Sequence, residues 1–249
     1  MKYLFLSLAV YFFSIPIFAT YFPGDSWERS TALKENVNQS RLKALEKIAF
    51  TDPATQALVV IKNGKIISER YAKNYNKDSY GTSWSVAKSF YAALIGISIE
   101  KGEINSLDDP VYMYLPIYKK DERSVITLRN ILDMESGLQY PVTQHEAMFL
   151  HEDQLKYSLD VPLEKKPGAQ WEYNNVNSML LAAILKAATG KTADQLLKER
   201  ILKPIGINET TLWKDGKGNV MTYCCIDMSA RDFSRFGLLF ARNGNWNNQ

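Results

Sequence analysis

Apolar positions along the chain change period several times, and each change marks an element. Across residues 36–50, Leu42, Leu45 and Ile48 recur at helical spacing, which predicts an amphipathic helix that needs a surface to lie on. ALVVIK at 57–62 and KIISERY at 65–71 are β-rich runs separated only by Asn63-Gly64. That dipeptide favours the two-residue hairpin turn with positive φ, so the two runs predict an antiparallel hairpin. SVAKSFYAALIGISIE, from Ser85 to Glu100, is apolar almost all round and closes on Gly102, the pattern of a buried helix starting at Ser85.

Beyond it the helix signals continue. Thr127 precedes LRNIL, an apolar helix runs from about Val176 to Ala188 and stops at Gly190, and Thr192 to Gln195 forms a capping box. A last helix begins near Ser229 and ends at Gly244. Residues 105–215 offer no further strand pair, so an all-helical lobe is expected over about 103–215. One hairpin is marginal in water and leaves both edges open, so the sheet is expected to lack strands.

With 249 residues, 46% of them hydrophobic and 12% aromatic, the chain can bury a sizeable core, which excludes disorder. The net charge of +3 comes from scattered basic residues with no stripe to track a phosphate backbone, which argues against a nucleic-acid partner. Residues 1–19, MKYLFLSLAVYFFSIPIFA, have one lysine, an apolar run broken by Pro16 and Ala19 as a cleavage residue. They read as a signal peptide, with an uncleaved anchor as the alternative. Either way residues 20–249 form an exported domain, periplasmic or secreted, whose only membrane contact is that segment. The two cysteines, Cys224 and Cys225, are adjacent and can bridge each other only through a strained ring, so no stabilising disulfide framework is available.

A serine nucleophile needs a base within hydrogen-bond reach and donors for the developing oxyanion. Ser85 and Lys88 meet the first need on the opening turn of a helix. Residues three apart share a face, and an apolar helix desolvates the amine and lowers its pKa. Ser-x-x-Lys alone is not specific, because Ser40 to Lys43 matches it too. A helix cap for Ser85 and a solvated Lys88 are the bland alternatives. Rival constellations fail on spacing: no Gly-x-Ser-x-Gly occurs, and neither His145 nor His151 opens a His-Glu-x-x-His metal motif. Arg231, Asp232 and Arg235 read as helix-end and ion-pair groups.

Longer stretches carry a resemblance. TSWSVAKSF at 82–90, SLDDPVYMYLP at 106–116, ITLRNILDMESGL at 126–138 and PGAQWEYNNVNSMLLAAILKAATGKT at 167–192 occur in order and resemble the serine β-lactamases. Their penicillin-binding-protein, esterase and 6-aminohexanoate-dimer hydrolase relatives share the likeness. The last stretch holds the only Tyr-x-Asn, Tyr173-Asn174-Asn175. The resemblance implies an α/β (α+β) β-lactamase-like fold, an antiparallel sheet with flanking helices plus a helical lobe, and a groove between them with Ser85 at its floor. It implies acyl transfer to Ser85 from a small amide, ester or peptide, with Lys88 and Tyr173 moving the proton and Asn175 holding the lysine and the substrate amide. No metal and no organic cofactor are required. A phenol beside an ammonium has its pKa lowered, in keeping with that role.

Family members carry a third motif, Lys-Thr-Gly or a His-x-Gly variant, on a strand after the region matching the last helix, and the sequence reaches Gln249 first. Lys191-Thr192-Ala193 and Lys214-Asp215-Gly216 precede that helix and do not replace it. The expectation is therefore a C-terminally truncated, impaired hydrolase, since one oxyanion donor is worth roughly 10²–10³ in rate. A non-catalytic peptide-binding or sensor protein is the competing reading.

Overall fold

The computed structural model describes residues 21–247, so the leader predicted over residues 1–19 lies outside the described residues. The hairpin forms where the sequence puts it: β1 (Ala57–Lys62) pairs antiparallel with β2 (Lys65–Tyr71), from Ala57 opposite Tyr71 to Lys62 opposite Lys65. Asn63 and Gly64 turn the chain with φ of 52° and 80°, both in the left-handed region that this dipeptide tolerates.

Ahead of the hairpin, α1 (Gln39–Ala49) is capped by the Asn38 carboxamide, which accepts from Arg41 N at 3.0 Å. It meets β2 through Glu46, bonded to Ser68, and through Phe50, whose ring lies 4.2 Å from the Arg70 guanidinium. The predicted apolar face is covered only in part. Leu42 is buried, while Leu45 and Ile48 stay 45% and 67% exposed, because two strands are narrower than the helix they carry.

A second sheet departs from the sequence reading. β3 (Tyr80–Thr82), β4 (Thr211–Leu212) and β5 (Ile226–Ser229) form an antiparallel sheet in the order β3-β5-β4. Its strands are two to four residues long, too short to show alternation, and exist only through long-range pairing. Among the described residues the strands therefore form two small sheets, and β4 falls inside the stretch expected to be wholly helical.

The helices are α2 (Ala87–Glu100), α3 (Leu128–Leu132), α4 (Val142–Leu150), α5 (Gln154–Asp160), α6 (Asn175–Thr189), α7 (Ala193–Leu197) and α8 (Ala230–Ala241). Capping boxes open α3 at Thr127 and α7 at Thr192, and Gly190 ends α6 with φ 76°. The core is built where α2 and α6 meet. Phe90, Tyr91, Leu94 and Ile95 from the first, and Val176, Met179, Leu180 and Ile184 from the second, are fully buried. Each such apolar side chain contributes about 1.5–3 kcal/mol.

α8 joins this core to the hairpin. Phe236 stacks on Phe90 with ring centroids 3.5 Å apart, and the helix packs against β1. Its charged residues are structural, as the sequence suggests: Arg231 Nε donates to Glu69 of β2 at 2.6 Å, and Asp232 receives the Ser229 hydroxyl at 2.6 Å in the N-terminal cap. Buried Arg235 donates to the carbonyls of Ile205 at 2.9 Å and Gly24 at 2.7 Å, tying the N-terminal segment to the body. No helix among the described residues is long and apolar enough to cross a membrane.

Candidate active site

The segment leading to Ser85 is tied on both sides. β3 pairs with β5 through Thr82 opposite Asp227, and the Thr82 hydroxyl reaches the Asp227 carboxylate at 2.5 Å. Ser83 extends the pairing: its N–H donates to Ile226 O at 2.9 Å and its Oγ accepts from Ile226 N at 2.9 Å. Trp84 then takes a left-handed φ of 44°, and its carbonyl accepts from Cys225 N at 3.3 Å. A non-glycine residue held there is strained and persists only because its surroundings fix it.

The chain next makes a single 3₁₀ turn, Trp84–Val86, before α2 begins at Ala87. The α-helix thus starts two residues later than predicted, and Ser85 lies on the tighter turn. Ser85 is exposed rather than sunk at the floor of a groove, which corrects the second expectation about it.

Lys88, in the first turn of α2, folds back as its spacing requires. Its Nζ donates to Ser85 Oγ at 3.1 Å and to the Tyr223 carbonyl at 2.7 Å. Tyr173 arrives from the loop before α6, with its hydroxyl 2.6 Å from Ser85 Oγ and its ring 4.9 Å from Lys88 Nζ. Neighbours fix that loop: Glu172 N donates to Met134 O at 2.9 Å, and Lys165 pairs with the Glu172 carboxylate at 2.9 Å. Asn174 is buried and caps α6, its Oδ1 accepting from Val176 N at 2.9 Å while its Nδ2 donates to Leu138 O at 3.0 Å.

Three of the four candidate residues therefore share one hydrogen-bonded cluster. Asn175, the fourth, is buried at the start of α6 and hydrogen-bonds with Tyr140. Two contributors were missed in the sequence. Asn174 carried a readable signal, as an Asx residue just before an apolar helix, whereas Tyr223 acts through its main-chain carbonyl, which no residue type announces.

Electrostatics set both partners toward proton transfer. Burial lowers the Lys88 ammonium below its ordinary range, partly offset by Tyr173. Burial raises the Tyr173 phenol, but hydrogen bonds from Lys88 and Ser85 outweigh it, and the net direction is down. The two form a coupled acid/base unit.

An open groove of about 640 Å³ runs beside Trp84, lined also by Gln56, Tyr75, Tyr80, Thr82 and Phe233. Neither it nor a recess of about 360 Å³ between α6 and the 214–220 loop is lined by Ser85, Lys88 or Tyr173, whereas a smaller pocket of about 210 Å³ is lined by Lys88 together with Ser89, Ile131, Met134 and Ser178. The other Ser-x-x-Lys lies elsewhere: Ser40 donates to Asn38 Oδ1 in the cap of α1, and Lys43 is exposed. His151 is held in a local turn, where its Nδ1 accepts from Asp153 N at 3.1 Å.

Comparison with known proteins decides the family. The sequence signature of the Beta-lactamase family matches residues 51–222, more than half of the chain. The chain belongs to the Beta-lactamase family. This β-lactamase-family chain is 30% identical over 187 residues to a Bacillus subtilis (strain 168) protein provisionally named penicillin-binding protein PbpX; the match covers 71% of the chain and 45% of PbpX. It is 27% identical over 173 residues to Protein flp of Staphylococcus aureus (strain MW2), covering 62% of the chain and 34% of that protein.

The chain thus spans less than half the length of these relatives. Among solved structures, it resembles a Bacillus anthracis protein provisionally named 6-aminohexanoate-dimer hydrolase, with TM-score 0.74 and 25% identity over 92% of the chain and 66% of that protein. It shares the fold of D-alanine carboxypeptidase AmpC from Burkholderia cenocepacia, with TM-score 0.61 and 19% identity over 80% of the chain and 64% of that protein. The fold is that of the β-lactamases and penicillin-binding proteins, and the family consists generally of serine hydrolases that act on amides or esters.

Proposed function

We propose that this chain carries the acylation centre of a serine hydrolase, with Ser85 as the nucleophile toward a small amide, ester or peptide carbonyl. The observation that carries the reading is the position of Ser85 Oγ within hydrogen-bond reach of both Lys88 Nζ, at 3.1 Å, and Tyr173 Oη, at 2.6 Å. The Lys88–Tyr173 pair takes the serine proton as Oγ attacks the carbonyl, then returns it to the departing amine or alcohol. An acyl-serine remains, and water activated by the same pair hydrolyses it. The Tyr223 carbonyl keeps Lys88 aimed along α2. Asn175, two residues past the phenol and buried against Tyr140, is assigned to the substrate amide on the family likeness alone. The Bacillus anthracis relative provisionally named 6-aminohexanoate-dimer hydrolase makes a short amide one substrate class to test beside esters.

The test is turnover of p-nitrophenyl esters and short amides by the full chain and by Ser85→Ala, with mass spectrometry after a fluorophosphonate. Turnover abolished by Ser85→Ala, with label on Ser85, supports the assignment. Saturable binding of a penicillin or a D-amino-acid peptide without turnover or label assigns the chain to the non-catalytic binders instead. Export is part of the same proposal: secreted material should begin just after Ala19, and retention of the leader in the cell would refute it.

A further inference from the structure

The segment that receives Lys88 contains the adjacent cysteines. Cys224 and Cys225 are joined to each other in this structure, and both are buried at 6% and 1% exposure. Their place matters more than their rarity. The carbonyl just before the pair, Tyr223 O, accepts from Lys88 Nζ at 2.7 Å. The N–H within it, Cys225 N, donates to Trp84 O at 3.3 Å, one residue from the nucleophile. The N–H just after it, Ile226 N, donates to Ser83 Oγ at 2.9 Å. Three successive contacts of one short segment thus set the lysine against the serine, and the cysteine pair lies between the first and the last.

The backbone at this point is unusual. Cys225 has φ 75° and Trp84, across the hydrogen bond, has φ 44°. Left-handed conformations are strained for a side-chain-bearing residue and relax when unsupported. A bond between neighbouring side chains closes a ring through the Cys224–Cys225 peptide and restricts the backbone torsions that separate Tyr223 O from Cys225 N.

We propose that the Cys224–Cys225 disulfide is a positioning element of the active site, holding the Tyr223 carbonyl and the Cys225 amide in the register that aligns Lys88 with Ser85. This inference rests on the functional reading above and adds to it a dependence on redox state. Opening the ring takes a dithiol: two electrons and two protons pass to the S–S bond, two cysteine thiols form, and the reagent closes to its own cyclic disulfide. The freed Cys225 relaxes from its left-handed conformation, Tyr223 O moves relative to Trp84, and Lys88 loses its aim. A displacement on the order of 1 Å at a reacting group costs up to about 10²-fold in rate.

The experiment compares the full chain before and after treatment with dithiothreitol, followed by alkylation to count thiols. Under denaturing, non-reducing conditions the untreated protein should take up no alkyl group, and the reduced protein two. Reduction should lower kcat for a p-nitrophenyl ester by roughly 10–100-fold while KM stays within about twofold, since aim rather than binding is lost. Cys224→Ser/Cys225→Ser should match the reduced protein and ignore the dithiol. Cys224→Ala/Cys225→Gly, whose glycine takes a positive φ freely, should recover part of the lost rate. Two alkylated cysteines in the untreated active protein, or an unchanged kcat after reduction, would overturn the proposal.

A readout independent of turnover separates this idea from the assignment of Ser85. On reduction, hydrogen exchange should accelerate in peptides covering 83–86 and 223–226 and nowhere else. If no substrate is turned over by any form, the functional reading falls, and the exchange pattern alone decides whether the cysteines hold this segment: local acceleration upholds it and unchanged exchange refutes it.

Discussion

Removing one oxygen from Tyr173 is the sharpest perturbation of the site. Tyr173→Phe keeps the ring beside Lys88 and deletes the hydroxyl that lies 2.6 Å from Ser85 Oγ. Tyr173 is 43% exposed, so little packing is lost, and stability should change by no more than about 0.5 kcal/mol. A positioned acid/base group contributes about 10²–10⁴ in rate; a thousandfold loss corresponds to about 4 kcal/mol of transition-state stabilisation.

The pH profile carries a sign as well. In the parent, kcat/KM should rise with pH as the coupled pair loses its first proton, with a midpoint below the ordinary phenol and ammonium values, because both groups are shifted down. Burial lowers Lys88 while Tyr173 holds it up. Without the phenol only the lowering influence remains, so the residual limb should move to lower pH. The assay is p-nitrophenyl ester hydrolysis across pH, read at the isosbestic wavelength of the released phenol. A loss smaller than about tenfold, or a limb that moves up, would refute the proton-relay assignment.

Two further outcomes test the frame that supports the site. Glu69 is held near pKa 2 by its hydrogen bond to Arg231 against the opposing effect of burial, with Tyr71 and Arg29 adding to the lowering. A depressed acid stabilises fully above its unfolded value near 4.5 and loses that contribution as pH falls to about 2. The contribution should be on the order of 2 kcal/mol after allowance for the partly solvated arginines, and Glu69→Gln should flatten this part of the acid limb in urea titrations; an unchanged slope would contradict it. Gly137 has φ 72°, a Cβ there would run into the Lys165 carbonyl, and its own carbonyl accepts from Glu164 N and Lys165 N at 2.9 and 3.0 Å. Gly137→Ala should therefore destabilise by more than about 2 kcal/mol in thermal unfolding, and a change below about 0.5 kcal/mol would show that the 164–166 segment yields freely.

What the sequence determined by itself was whatever short-range chemistry decides. Asn63-Gly64 specified the hairpin, Gly190 ended α6, and Thr127 and Thr192 opened their helices, because turns and caps are settled within a few residues. Ser85 and Lys88 were legible as a pair for the same reason, being one helical turn apart. Tyr173 was singled out only through the ordered likeness of several segments, since 88 residues separate it from Ser85.

Tertiary structure decided the rest. The sheet of β3, β4 and β5 has strands too short to pattern, and it exists because 80–82 and 211–212 meet 226–229 across the chain. The exposure of Leu45 and Ile48 depends on how far a two-stranded surface reaches, which periodicity does not encode. The alignment of Lys88 by the Tyr223 carbonyl depends on a main-chain atom brought from 135 residues away. Every residue carries such a carbonyl, so only the folded path of the backbone selects the one that serves.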